Sequence, residues 1–378
     1  MSTFESNSET SPPKHLADEE QENDIHDSGE DDSGEDGEDI IPSKFSIAVS
    51  RIDFDVAGLV RRLESEDVFI PDFQRAYVWK PKQASRFIES LLLGLPVPGI
   101  FLAKERETKK LLVIDGQQRL RSLLYFYQGK FPNSRHSFTL KGVHTEFERE
   151  TYKSLKDAYR RQLDDSVVSA TVVEPLYADD ESSIYYIFER LNTGGTILKP
   201  QEIRACIYHG ELNDLLGELN QNPAWRDIFG IPDKNRKDQE LILRFLAFYF
   251  DGNDYKPSLK EFLNQYMRQN RHLGRQSKEQ IIKAFIPTIE LLHKCLGKKA
   301  FKPQKLLIPT YFEAVMVVTA RRLEQGNIQN FEQLEARYKL LIEDEAFSGV
   351  SQKIRNLTSE DNVRKRLEIV SNYWADLE

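Results

Sequence analysis

The sequence predicts an α+β protein, in which a small α/β domain is followed by an all-helical one. Between residues 43 and 210, short apolar runs typical of strands alternate with segments of helical periodicity. Residues 211–378 show helical periodicity throughout and no strand pattern. The 378 residues are enough for two domains of ordinary size. Residues 1–42 stand apart from both domains as an acidic tail.

The net charge of −9 is distributed unevenly along the chain. Residues 1–40 hold 15 of the 61 acidic residues and one of the 52 basic ones, so the remaining 338 residues carry a net charge of +5. The tail has almost no apolar surface to bury and repels itself, which predicts disorder for residues 1–42. The charge of the remaining chain does not disfavour an anionic ligand.

Apolar spacing predicts the individual elements. In the first domain, helices are expected from Val56 to Leu63, from Ala84 to Leu93, from Leu120 to Tyr127 and over 182–191, and strands at 99–103, 110–114 and 167–173 with an extended piece at 68–71. In the second domain, apolar stripes over 241–249 and 281–292 predict core-forming helices, with further helices near 310–325, 331–345 and 360–377.

Composition excludes several classes of protein. No apolar run approaches the ~20 residues of a membrane span, and the N-terminus lacks the pattern of a signal peptide. A soluble cytoplasmic protein with no membrane partner is therefore expected. Cys206 and Cys295 belong to no CxxC motif, which excludes a disulfide framework and a thiolate zinc site. The seven histidines are scattered, so no zinc is expected.

The sharpest local feature is a predicted strand that ends in Asp115-Gly116, where a helix begins at once. Such a junction directs free backbone N–H groups and the positive end of the helix dipole at one point. Gly116 would let a ligand oxygen approach the backbone, and Gln117 and Gln118 can donate amide hydrogens. Arg119 can bind a phosphate by two parallel hydrogen bonds, and Asp115 would cap the helix or hold a metal ion. An ordinary helix start with a solvated arginine fits the same residues.

A second feature is an extended segment in which Gln74 and Arg75 lie among Phe73, Tyr77 and Trp79. Aromatic rings beside an arginine could stack on bases and clamp a phosphate, or they could belong to the core. The core interpretation is favoured for the aromatic residues, and the functional one for Gln74 and Arg75.

A third feature is a loop between two predicted helices that contains Gly194 and Gly195. Helix termination explains most of this segment. It does not explain why Glu189, Asn192 and Glu202, which can bind a metal or a phosphate, bracket the loop.

Together the three segments resemble a known family. Gln-Arg followed by Tyr-Val-Trp, then Ile-Asp-Gly-Gln-Gln-Arg-Leu, then Phe-x-x-Leu-Asn-Thr-Gly-Gly-x-x-Leu-x-x-x-Glu, in this order, resemble the N-terminal domain of GmrSD-type modification-dependent restriction systems. The resemblance spans about residues 55–215. The family is similar in fold to the ParB/sulfiredoxin group, in which a strand-to-helix turn holds nucleotide phosphates.

The resemblance implies a nucleoside-triphosphate (NTP) pocket, in a protein that binds and hydrolyses NTP in support of DNA cleavage. By matching position, Asp115 and Arg119 are catalytic. The implied nucleotide-binding residues are Gln74, Arg75, Gly116, Gln117, Gln118, Arg119, Asn192 and Glu202, and the implied Mg²⁺ ligands are Asp115, Glu189 and Asn192. Two alternatives stay open: a sensor that binds nucleotide or DNA without turnover, and a ParB-like DNA endonuclease.

The sequence departs from the full-length family pattern after His293, where no further histidine occurs. Relatives often carry an HNH-type nuclease half, which needs paired histidines to bind its metal. We therefore expect a helical scaffold or interaction domain here, with any nuclease in a separate subunit. DNA contact, if the protein makes it, would fall on basic clusters at 268–275, 298–302 and 364–366, for which solvated helix faces are the alternative.

Overall fold

The computed structural model describes residues 46–71, 77–131, 136–177, 181–191, 198–352 and 356–377. The α+β class is confirmed, since the described residues form one five-stranded sheet near the N-terminus and are helical over most of the remainder. The acidic tail, Gln74, Arg75 and Asn192 lie outside the described residues.

The elements have the following bounds. The strands are β1 (Ile47–Asp55), β2 (Val68–Phe69), β3 (Ile100–Lys104), β4 (Leu111–Asp115) and β5 (Val167–Pro175). The helices are α1 (Val56–Glu64), α2 (Pro81–Leu92), α3 (Gln117–Gln128), α4 (Asp157–Asp165), α5 (Glu181–Leu191), α6 (Pro200–Ile207), α7 (Glu211–Leu219), α8 (Pro223–Phe229), α9 (Lys237–Asp251), α10 (Leu259–Gln269), α11 (Lys278–Leu296), α12 (Pro309–Glu324), α13 (Phe331–Glu343), α14 (Glu345–Gln352) and α15 (Glu360–Trp374).

The strand order in the sheet is β1-β5-β3-β4-β2. β1 pairs antiparallel with β5 along its whole length, from Ile47 opposite Pro175 to Asp55 opposite Val167. β5 is parallel to β3, β3 is antiparallel to β4, and β4 is parallel to the short β2. β4 therefore lies inside the sheet, and its carboxyl end at Asp115 leads directly into α3.

β4 is buried on both faces because its side chains alternate between two apolar cores. Leu111 and Val113 belong to a core with α1, α2 and α3, while Leu112 and Ile114 belong to a larger core with α5 and the later helices. Burial on both faces explains why the sequence of this strand is a continuous apolar run. The larger core is continuous from the sheet into the helical region, where α9 and α12 pack together.

Most predicted elements occur where apolar spacing places them, but β1 and α4 of the first domain were not predicted. β1 is exposed from Ala48 to Asp53, so neither face carries the apolar alternation of a half-buried strand. α4 is polar and buries Leu163 as its one core residue. The domain boundary near residue 210 and the likeness to the ParB/sulfiredoxin fold stay predictions. None of the described helices combines the length and the apolar character that crossing a lipid bilayer requires.

Candidate functional site

Gly116 makes the turn between β4 and α3 in a conformation that other residues rarely adopt. Its φ of +99° lies in the left-handed region. A Cβ atom here would lie 2.5 Å from Cγ2 of Ile100, a buried residue of β3. The space that a Cβ atom would take is filled by Ile100, and the approach of a ligand oxygen to the Gly116 backbone stays a prediction. Glycine is needed here for the backbone turn and for packing of the turn on β3.

The first turn of α3 presents backbone donors at the end of β4. The first hydrogen bond of the helix runs from Leu120 N to Gly116 O, at 2.9 Å. The N–H groups of Gln117, Gln118 and Arg119 precede it and have no acceptor within the helix. They lie at the positive end of the helix dipole, which favours a negatively charged group in front of them.

Arg119 is held in place by two hydrogen bonds and is not the solvated arginine of an ordinary helix start. Its Nη2 lies 2.5 Å from Oδ2 of Asp115, and its Nη1 donates to the carbonyl of Pro98 at 2.8 Å. The Arg119 side chain is 13% exposed, whereas that of Asp115 is 49% exposed. Asp115 does not cap α3, because Gly116 is the N-cap and receives no side-chain cap. The carboxylate instead accepts from the guanidinium through Oδ2 and remains half-exposed.

Gln118 joins α3 to the segment that follows Gln74 and Arg75. Its Oε1 accepts hydrogen bonds from Val78 N at 3.0 Å and from Trp79 N at 3.3 Å. The backbone at Val78 and Trp79 is thus held against the start of α3. The side-chain oxygen of Gln118 is therefore structural.

The aromatic residues of the same segment pack into the core. Tyr77 meets Tyr125 edge-on at a centroid distance of 5.2 Å, and its hydroxyl lies 2.8 Å from Oγ of Ser122. Trp79 packs edge-on against Phe87 at 5.9 Å. These contacts agree with the core interpretation of Tyr77 and Trp79, whereas Phe73 lies outside the described residues.

Gln117 carries a polar atom that the fold itself does not satisfy. Its Oε1 is buried and has no hydrogen-bond partner among the described residues. Buried polar atoms are normally paired, and an unpaired one costs about 1–3 kcal/mol. An unpaired acceptor on the first residue of α3 could be satisfied by a donor from a ligand.

The other implied ligands have partners of their own. Oε1 of Glu189 lies 3.5 Å from Nζ of Lys260, a buried residue of α10. Glu202 is 5% exposed, and its Oε2 accepts from Lys199 N at 2.8 Å as part of the capping box of α6. Within the described residues, no three His, Cys, Asp or Glu side chains are grouped so that they could hold a metal ion.

An ionic cluster that the sequence did not predict lies at the other end of β4, in the connection from β3. Oε1 of Glu105 lies 3.1 Å from Nε2 of His209 and 3.0 Å from Nη2 of Arg271. Burial alone would raise the pKa of Glu105, but hydrogen bonds from His209 and Thr108 and the charge of Arg271 lower it to about 2. The cluster borders a cavity of about 170 Å³ between the sheet and the helical region. Such separations along the chain leave no local signal in the sequence.

Several arginines of the basic clusters also hold the helical region together. Arg366 is 1% exposed, and its Nη2 lies 3.2 Å from Oε1 of Glu313. Nη1 of Arg275 lies 2.8 Å from Oδ2 of Asp251. With Arg271 bound to Glu105, three of the arginines that could have contacted DNA make internal ion pairs instead.

The region that contains the β4–α3 turn matches a known protein family. Residues 56–209 match the family model described as the N-terminal domain of the GmrSD restriction endonuclease. This part of the chain is a GmrSD N-terminal domain. The match runs from the start of α1 past the end of α6 and includes the β4–α3 turn. No curated protein matches the chain. The GmrSD domain assigns this part of the chain to components of restriction-type systems.

Proposed function

We propose that the GmrSD domain of this protein binds a nucleoside triphosphate at the β4–α3 turn and hydrolyses it in support of DNA restriction. The observation that carries the proposal is the buried Oε1 of Gln117, which has no hydrogen-bond partner among the described residues and belongs to the first residue of α3, at the positive end of the helix dipole. The N–H groups at the start of α3 favour an anion, and the side-chain oxygen of Gln117 can accept a hydrogen bond from a ligand donor. A nucleotide offers both, because its phosphates accept hydrogen bonds and its ribose hydroxyls and base amines donate them.

Arg119 would stabilise the phosphates without a costly rearrangement. The bonds to Asp115 and Pro98 already fix its guanidinium, so little side-chain entropy is lost when a ligand binds. A fixed positive charge next to the phosphates stabilises the charge that develops during phosphoryl transfer. Arg75 would contribute a second positive charge to the phosphates, since Gln118 ties the backbone at Val78 and Trp79 to the start of α3.

Asp115 is the residue we assign to magnesium. Its carboxylate is half-exposed, and only Oδ2 is occupied by Arg119 among the described residues. Mg²⁺ in nucleotide sites often uses one or two carboxylates and completes its shell with phosphate oxygens and water. A single carboxylate fits this ligand set, and Mg²⁺ would supply neutralisation of the phosphate charge. Glu189 is less suited to bind Mg²⁺, because its carboxylate already pairs with Lys260.

The proposal is tested by measuring binding and turnover together. A panel of NTPs is screened by thermal shift with and without Mg²⁺, and phosphate release is then measured for each nucleotide that binds. We expect at least one NTP to stabilise the protein in a magnesium-dependent manner and to release phosphate. Asp115→Asn keeps an oxygen that Arg119 can donate to, so it should retain the fold and lose the magnesium dependence. Failure of every NTP to bind would refute the proposal.

A nucleotide sensor without turnover is the second candidate. It is favoured by the small number of acidic groups, since Asp115 is the sole carboxylate in the turn and the described residues contain no group of three metal-binding side chains. Such a sensor would be stabilised by NTP and release no phosphate. The same observation weighs against a ParB-like endonuclease, which needs several groups around its metal ions. Nicking of plasmid DNA that is lost in Asp115→Ala would support that third candidate.

The partners follow from the family. We propose that the domain works with a nuclease partner, because the family it matches is that of restriction endonuclease N-terminal domains. If the helical region also contacts DNA, Arg271, Arg275 and Arg366 contribute little, since each is already paired internally.

A further inference from the structure

β1 is a long strand at the edge of the sheet, and its outer side has no partner strand among the described residues. It is nine residues long, contains no proline and pairs with β5 without a register shift. Val49 is 59% exposed and Ile52 39%. Edge strands in natural proteins are usually short or interrupted by a proline or a bulge, because a long edge pairs readily with another chain. β1 lacks these protections.

The pairing with β5 fixes which backbone groups of β1 point outward. Leu176 N donates to Ser46 O, and Val56 N donates to Ser166 O, both at 2.9 Å. The even-numbered residues of β1 therefore direct their N–H and C=O groups to β5. Because these groups alternate along an antiparallel strand, the odd-numbered residues direct theirs away from the sheet. The residues with outward groups are Ile47, Val49, Arg51, Asp53 and Asp55.

We propose that β1 pairs antiparallel with β1 of a second copy of the chain, about a two-fold axis at Ile52. In this register Arg51 lies opposite Asp53 of the second copy, and by symmetry Asp53 lies opposite Arg51. Both are residues with outward groups, so the backbone hydrogen bonds and the two ion pairs form together. Ile52 meets Ile52 of the second copy and covers surface that is exposed in the single chain.

The neighbouring registers are disfavoured by charge. A two-fold axis at Arg51 would place two guanidinium groups opposite each other, and an axis at Asp53 would oppose two carboxylates. Like charges directly opposite each other destabilise a strand pair, whereas opposite charges stabilise it. The alternation of Arg51 and Asp53 around Ile52 therefore favours the register centred on Ile52 over the two adjacent ones.

The antiparallel arrangement also separates the acidic tails. The described part of the chain begins at Ser46, just before β1, and residues 1–40 carry 15 acidic residues against one lysine. In an antiparallel pair the two Ser46 residues lie at opposite ends of the joined strands. Repulsion between the tails is then smaller than in a parallel pair, where both would start at the same end.

The proposal predicts a position-specific cross-link in the full chain. Ile52→Cys is made together with Cys295→Ser, since Cys206 is fully buried and Cys295 is the partly exposed native thiol. In a pair that is not hydrogen-bonded, opposite Cα atoms are about 4.5 Å apart, within reach of a disulfide. We expect a covalent dimer on a non-reducing gel after mild oxidation.

Ala48→Cys in the same background is the matched control. Position 48 is also exposed but lies opposite position 56 of the second copy, so its own copy is about 26 Å away along the strands. It should stay monomeric. Equal cross-linking of both variants would indicate random collision, and no cross-linking of Ile52→Cys would mean that the strands do not meet; either result overturns the proposal.

A charge exchange tests the register independently. Arg51→Asp places like charges at both ion-pair positions and should weaken self-association at least about ten-fold, measured by sedimentation of the full chain over a wide concentration range. Arg51→Asp combined with Asp53→Arg restores opposite charges and should recover association. Circular dichroism checks the fold, because Asp53 also accepts from Oγ of Ser169 at 2.6 Å. A wild-type chain that stays monomeric, or a double variant no better than Arg51→Asp, contradicts the proposal.

Discussion

Gly116→Ala should destabilise the protein far more than an alanine at a comparable turn elsewhere in the chain. Two costs add at this position. A left-handed φ costs an alanine roughly 1–2 kcal/mol relative to glycine. The new Cβ would also lie 2.5 Å from Cγ2 and 3.1 Å from Cβ of Ile100, which belongs to an inner strand and cannot retreat freely. Overpacking of this kind costs about 1–3 kcal/mol. We therefore expect a total loss of about 3 kcal/mol.

Gly129→Ala separates the two costs. Gly129 ends α3 with a φ of +79°, and nothing lies within 4 Å of the Cβ that alanine would add. This variant should lose about 1 kcal/mol, from backbone strain alone. Equilibrium unfolding in urea gives both free energies, and Gly116→Ala should cost less in an Ile100→Ala background than in wild type, because the nearest methyl group is then absent. Equal destabilisation by Gly116→Ala and Gly129→Ala would refute the packing argument.

Three further predictions concern other parts of the molecule. Glu105→Gln should destabilise the protein by about 2 kcal/mol at pH 7, because the folded pKa of Glu105 is about 2 against the usual 4.5 and its partly open site screens some of the effect. Because the folded pKa of Glu105 is lowered, its ionised carboxylate stabilises the protein above the unfolded pKa. The difference in unfolding free energy between Glu105→Gln and wild type should therefore shrink as the pH falls from about 4.5 towards 2 in urea titrations. A difference that does not change with pH would contradict this. Arg366→Met should lower the free energy of unfolding by about 3–5 kcal/mol, because it leaves Glu313 buried without its arginine. Arg364 forms an exposed pair with Asp361, so Arg364→Met should lower it by less than about 1 kcal/mol in the same assay. Gln118→Glu keeps the oxygen that accepts from Val78 and Trp79 and adds a negative charge at the proposed phosphate site. The variant should therefore keep the wild-type melting temperature and lose nucleotide binding, measured by calorimetry. Retained binding would count against the site.

The sequence predicted the parts of the fold in which local pattern and burial agree. β4 could be predicted because burial on both faces makes Leu111–Ile114 continuously apolar, and α3 because its apolar residues repeat at helical spacing. β1 could not be predicted, because pairing with β5 forms it and six consecutive residues are exposed. Its existence depends on a partner strand that is distant in the sequence.

For the candidate site, the sequence predicted the strand-to-helix turn and did not predict several contacts of its residues. The Asp-Gly turn and the helix that follows were evident from residue order. That Arg119 is bound by Asp115 and Pro98, and that Gln118 holds Val78 and Trp79, depends on segments that meet only in the folded chain. The cluster around Glu105 was missed for the same reason, since Arg271 lies 166 positions further along the chain. Tertiary contacts of this length leave no periodic signal.

The central claim is that the β4–α3 turn is a nucleotide site, and Gln117→Ala tests it most directly. Because Oε1 of Gln117 is buried and unpaired, removing it should not lower the stability of the ligand-free protein. If a nucleotide supplies the missing donor, the affinity for the NTP that binds wild type, measured by calorimetry with Mg²⁺, should fall about ten-fold or more while the melting temperature stays equal or rises. Unchanged nucleotide affinity in Gln117→Ala would contradict the account.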